Sequence, residues 1–186
     1  IRQDGDRHVQ AIDELVQYLG LGDYRAWSEE ERQAFLLESL TSKRPLLPSV
    51  WPMSDETAEV LATCRIVAQE PREILSHYII SMAQQPSDVL AVALLLKESG
   101  MTWNMPIVPL FETLDDLDRA PIVMERLWDL EWYQHYSAQQ QTVMIGYSDS
   151  AKDAGKIAAT WAQYKAQEKL VALAEKFDVS LVLFHG

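Results

Sequence analysis

The sequence predicts a helix-rich α/β fold, and three observations carry that prediction. Short apolar runs (YIISM, PIVPLF, VMIGY, SLVLF) alternate with longer helix-patterned segments after residue 74. Apolar strands separated by helices are the pattern of βα units on a parallel sheet, with both faces expected to be buried. Before residue 74 the strong periodicities are helical only. Finally, three runs end on residues able to do chemistry: PIVPLFE at Glu112, TVMIGYSD at Asp149 and VSLVLFH at His185. In parallel architectures the carboxyl ends of the strands open on one rim, where ligands gather.

The elements follow in order. From about His8 to Leu19, apolar residues at Val9, Ile12, Leu15, Val16 and Leu19 have helical spacing, and Gly20 and Gly22 end the run. Ser28 followed by Glu31 is a capping box for a second helix reaching about Leu40. The acids Glu29, Glu30 and Glu31 form a negative first turn that the helix dipole favours. KRPLLPSVWPMS is proline-punctuated and reads as an extended connector. Ser54 or Asp55 caps a third helix through about Gln69.

Residues 1–73 thus form a helical segment flanking the βα units of 74–186. In the second part Tyr78–Met82 reads as a short buried strand, and Ser87-Asp88 opens a helix that Gly100 stops. Further strands are expected at about Pro106–Phe111, Val143–Tyr147 and Ser180–Phe184. Helices are expected at about Leu114–Trp128 and Ala154–Lys176. Four strands are too few to close an eight-stranded barrel, but they fit about half of a TIM-type β/α barrel.

Composition narrows the function classes. The 186 residues are 48% hydrophobic and 24% charged, which is globular. A net charge of −12 argues against tracking a nucleic-acid backbone or an anionic membrane. It leaves room for a small anion held by a few Arg and Lys. The lone Cys64 lies in VLATCRIVA, so it reads as a buried structural thiol in a chain suited to the reducing cytosol. No run has the length of a membrane span. The chain opens on Ile1 and closes on LVLFHG, which predicts a piece of a larger protein.

Three constellations carry the chemistry. In FETLDDL, Thr113 or Asp115 reads as an N-cap and the remaining aspartates of Asp115, Asp116 and Asp118 as first-turn charges. Glu112 differs, because it continues an apolar strand where an unpaired carboxylate is costly. A hard divalent cation would meet that cost, and so would another partner; both readings stay open. GYSDSAKDAGK places Asp149 and Lys152 in a polar turn between strand and helix. Asp149 suits a metal and Lys152 an anion, although a plain capping turn is the alternative. The Walker A glycine pattern is absent. His185 at a strand end suits an acid, a base or a hydrogen-bond donor, or a structural role. His8, His77 and His135 read as structural, and Arg2 and Arg44 as candidate anion contacts.

Taken together, IRQD, LTSKRPLLP, SMAQQPSDVLAVALLLKESG, PLFETLDDL, VMIGYSDSAKDAG, WAQYKAQ and LFHG resemble bacterial phosphoenolpyruvate carboxylase, in one order across the whole chain. The resemblance implies a large, mostly helical cytoplasmic homotetramer, under allosteric control and built around an eight-stranded β/α barrel. It implies Mg²⁺ or Mn²⁺ held by Glu112 and Asp149, and Arg2 on the phosphate of phosphoenolpyruvate. Lys152 and His185 would line the same pocket and handle bicarbonate and carboxyphosphate. The implied reaction gives oxaloacetate and phosphate through carboxyphosphate and an enolate.

The family's upstream histidine motif, the loop after FHG, later substrate arginines and most of the aspartate inhibitor site fall outside these residues. The isolated piece is therefore expected to be inactive. The competing readings are a non-catalytic helical interaction domain, or another metal-dependent enolate-forming barrel enzyme.

Overall fold

The computed structural model describes residues 1–146 and 156–185. Its elements are β1 (Arg2–Asp4), α1 (Gly5–Tyr18), α2 (Glu29–Thr41), α3 (Asp55–Gln69), β2 (Tyr78–Ser81) and α4 (Pro86–Glu98). They continue with β3 (Ile107–Phe111), α5 (Leu114–Trp128), α6 (Glu131–Ser137), β4 (Gln140–Ile145), α7 (Lys156–Lys176) and β5 (Ser180–His185). A single 3₁₀ turn at Tyr24–Ala26 joins α1 to α2.

Helix starts follow local chemistry. Ser28 and Glu31 close the expected capping box on α2, with each side chain bonded to the other's backbone N–H. Ser54 caps α3 by accepting from the Thr57 amide. Thr113 and Asp116 form a second box at the start of α5, so Asp116 is a capping residue. The connector after α2 is held by Glu98, whose carboxylate accepts from the amides of Leu46 and Leu47.

Two elements depart from expectation. Arg2–Asp4 is a strand, although three mostly polar residues carry no apolar alternation. It exists because it pairs with β2, Arg2 opposite Ile79 and Asp4 opposite Ser81. The short helix α6 was likewise unmarked in EWYQHYS. It is anchored by tertiary bonds from the Tyr133 hydroxyl to Gln141 and from the Tyr136 hydroxyl to the Met105 carbonyl.

All five strands are parallel, in the order β1-β2-β3-β4-β5. No reversal of order occurs, unlike the switch point of a doubly wound sheet. Right-handed crossovers in one direction keep the helices on one side. Strand alternation confirms this: Tyr78, Ile80, Ile107, Phe111, Val143 and Ile145 join the main core with the helices. Among the described residues the opposite face holds a small cluster of Val108, Leu110 and Met144, with Ile79 and Phe184 packed on it.

That asymmetry corrects the expectation of a sheet buried on both faces. β3 is buried throughout, whereas β5 leaves Val182 54% exposed. A central strand has neighbours on both edges, and β5 is paired only with β4 among the described residues.

Candidate functional site at the carboxyl ends of the strands

The second sheet face carries an arginine–carboxylate pair. Val108, Leu110 and Glu112 alternate on it, and Arg2 reaches the same face through the ladder Arg2–Ile79–Val108. The register leaves Arg2 four residues short of Glu112, an offset that the long arginine side chain spans. Its Nη2 lies 3.1 Å from Glu112 Oε2 and 3.4 Å from Oε1. The Glu112 side chain is only 13% exposed, against 51% for Arg2. The cost of a carboxylate at a buried strand end is therefore met here by the guanidinium.

Arg2 owes its place to its neighbour. Gln3 points to the helix side, where its Oε1 accepts a 2.6 Å bond from the Tyr78 hydroxyl. Gln3 Nε2 donates to Thr63 Oγ1 on α3. The Tyr78 oxygen lies 2.8 Å from His8 Nε2, and burial pushes the His8 ring down to about 4. His8 is thus a neutral core residue that ties α1 to β2, in keeping with its structural reading. Cys64 is buried too, with its thiol pushed up to about 12 by desolvation, and so it is unsuited to nucleophilic work.

The remaining candidates fall elsewhere. Asp149 and Lys152 lie outside the described residues. His185 is exposed at the end of β5, paired with Ile145, which pairs with Phe111. Alternation assigns it to the side of those two residues, and among the described residues it makes no hydrogen bond to Arg2 or Glu112. Arg44 is exposed on the connector after α2, apart from the pair. His77 is half-buried, with its Nδ1 2.9 Å from Ser76 Oγ and its Nε2 3.4 Å from Thr142 Oγ1.

One described carboxylate fits a hard divalent cation by donor chemistry, since Mg²⁺ takes one or two carboxylates and fills its remaining positions with substrate oxygens and water. Among the described residues no group of three or more His, Cys, Asp or Glu forms a cage. At the end of β4, which the sequence had marked through GYSDSAKDAGK, sequence reasoning overlooked the packing of Gly146 and its bond to Gln163. Gly146 packs directly on Glu112, and its carbonyl accepts a 3.0 Å bond from buried Gln163 of α7. A glutamine in mid-helix gives no local signal for such a role.

Fold and site define a parallel β/α protein in which a carboxylate at the carboxyl end of β3 is paired with an arginine from the start of β1. The chain belongs to the phosphoenolpyruvate carboxylase family, whose model matches residues 1–186. It is 60% identical over 186 residues to the phosphoenolpyruvate carboxylase of Hahella chejuensis, covering 100% of this chain and 21% of that protein. The carboxylases of Tolumonas auensis (60%) and Histophilus somni (58%) match over the same shares. The chain thus spans about a fifth of the length of these relatives. Among the described residues, no helix is long and apolar enough to cross a membrane.

Proposed function

We propose that this chain is part of a phosphoenolpyruvate carboxylase, and that the whole protein carboxylates phosphoenolpyruvate with bicarbonate to give oxaloacetate and phosphate. The observation that carries the reading is the match of the whole chain to the family, joined to a rim that sets an anion-binding arginine against a hard-donor carboxylate. Five parallel strands in unbroken order also suit a segment of an eight-stranded β/α barrel, with the second sheet face turned to its interior. In that reading residues 1–73 bring the first strand and flanking helices, and 74–186 supply the following βα units. The whole protein works as a cytoplasmic homotetramer.

Glu112 and Asp149 would hold Mg²⁺ or Mn²⁺, which supplies positive charge to the oxygens of the reacting groups. The planar guanidinium of Arg2 suits two phosphate oxygens and offsets the charge of the transferring phosphoryl group. A bicarbonate oxygen attacks phosphorus while the bond to the enol oxygen breaks, leaving carboxyphosphate and an enolate. Carboxyphosphate releases phosphate and CO₂, which the enolate carbon captures. Lys152 would add a fixed positive charge, and His185, which ends β5 with its side chain alternating to the helix side, would serve from the strand end as a hydrogen-bond donor or acid–base group for bicarbonate and carboxyphosphate.

The test uses the full-length protein. Bicarbonate-dependent oxaloacetate formation is expected, with a loss on the order of a thousandfold or more in Glu112→Ala and Asp149→Ala. A docking module would show no loss in either variant. Turnover independent of bicarbonate would assign the barrel to another enolate chemistry.

A further inference from the structure

We infer that Gly146 and Gln163 are positioning residues for the Glu112 carboxylate, acting together as a lock at the end of β4; the inference rests on the metal-binding role proposed for Glu112. A Cβ built on Gly146 would stand 2.3 Å from Glu112 Cβ and 2.9 Å from Glu112 Cα. Those atoms are backbone and branch root, not the free end of a side chain, so they cannot swing aside. Gly146 is not among the residues with positive φ. Its glycine is therefore required by close approach and not by backbone conformation.

The same residue is tied from both sides. Its amide donates a 2.9 Å bond to the carbonyl of Phe111, the residue directly before Glu112. Its carbonyl accepts from Gln163 Nε2, on a side chain 5% exposed. An interior amide carries a desolvation cost that this bond offsets, so the contact is a fixed one. Strand end, helix α7 and the Glu112 backbone are thus one rigid unit. Ligand carboxylates need placement within about half an ångström, and groups behind the ligands commonly change metal affinity by roughly 10–100-fold.

The experiment is Mn²⁺ titration of the full-length protein by electron paramagnetic resonance, with thermal unfolding measured in parallel. Glu112→Ala serves as the reference. Gly146→Ala is expected to weaken Mn²⁺ binding tenfold or more, and Gln163→Met, which keeps volume but removes the donor, to weaken it several-fold. Folded variants with unchanged Mn²⁺ affinity overturn the lock, even where the melting temperature falls, since a merely structural role moves stability alone. Should Gly146→Ala fail to fold, Gln163→Met decides the matter. An unchanged affinity in Glu112→Ala overturns the metal role of Glu112 itself, a result distinct from failure of the lock.

Discussion

Arg2 and Glu112 hold opposite charges 3.1 Å apart with Arg2 half exposed, so the pair contributes at most about 1 kcal/mol to stability. Its consequence is functional: substituting either partner should move ligand handling more than folding. Arg2→Lys keeps the charge and loses the two-pronged geometry. In steady-state kinetics of the full-length protein it should raise KM for phosphoenolpyruvate roughly tenfold or more, the scale of one lost charge-assisted hydrogen bond. His8 gives a second prediction at this scale. Unfolded, it takes a proton near 6.5; folded, only near 4. Between those values the unfolded chain binds more protons, so stability falls as pH drops through that window. Asp88 acts in the opposite sense. Burial pushes its carboxyl up to about 6, so the folded chain binds more protons between that value and the ordinary 3.8. His8→Gln removes the first effect alone. Urea unfolding at pH 7 and pH 4 should show wild type losing on the order of 3 kcal/mol relative to the variant. A constant difference would mean His8 does not titrate as its burial requires.

Among the elements, helix starts were legible because caps are local. Ser28, Ser54 and Thr113 each accept from the amide three residues on. The Thr113 cap also begins the helix that leaves Glu112, and Thr113→Ala should cost about 1 kcal/mol in chemical unfolding. The opening of α4 differed from expectation. Asp88 sits in the first turn and accepts from the amides of Gln84 and Gln85, and Ser87 donates its amide and hydroxyl to Glu29 of α2. Glu29 thus joins two helices, beyond its favourable place in a first turn. The end of α6 is strained, with Ala138 and Gln139 at φ 50 and 58. Left-handed backbone costs a residue with a Cβ about 1–2 kcal/mol. Ala138→Gly should therefore raise stability by about 0.5–1 kcal/mol, read as a higher urea midpoint at an unchanged slope.

At the scale of the molecule, two stretches of open apolar surface bear on association among the described residues. The sheet face opposite the helices exposes Val182, and the outer side of α7 exposes Ile157 (89%), Trp161 (57%) and Tyr164 (54%). Three residues spaced i, i+4 and i+7 form one stripe along the helix, apart from its buried Ala159, Gln163, Ala166 and Leu170. Contiguous exposed apolar surface favours association. The 186-residue chain alone should self-associate in light scattering, and Trp161→Glu with Tyr164→Lys should return it toward monomer. It should also form no oxaloacetate; measurable turnover by this piece would show that the rim is sufficient without the rest of the protein.

Much of this protein was determined by its sequence alone: the helix-rich α/β class, the helix caps, the later strands and the family, since these depend on neighbours in the chain or on motifs a few residues long. Glu112 was singled out for the same reason, as a carboxylate ending an apolar run. Tertiary structure decided what depends on distant partners. Arg2 was already a candidate from its motif, but it became part of a strand and the partner of Glu112 only because Ile79 lies beside it and Glu112, 110 residues away, faces it. Gly146 and Gln163 mattered only once the folded strand end pressed against Glu112. Periodicity reports which face of an element is apolar, but contacts between elements arise from packing and register, which no local pattern encodes.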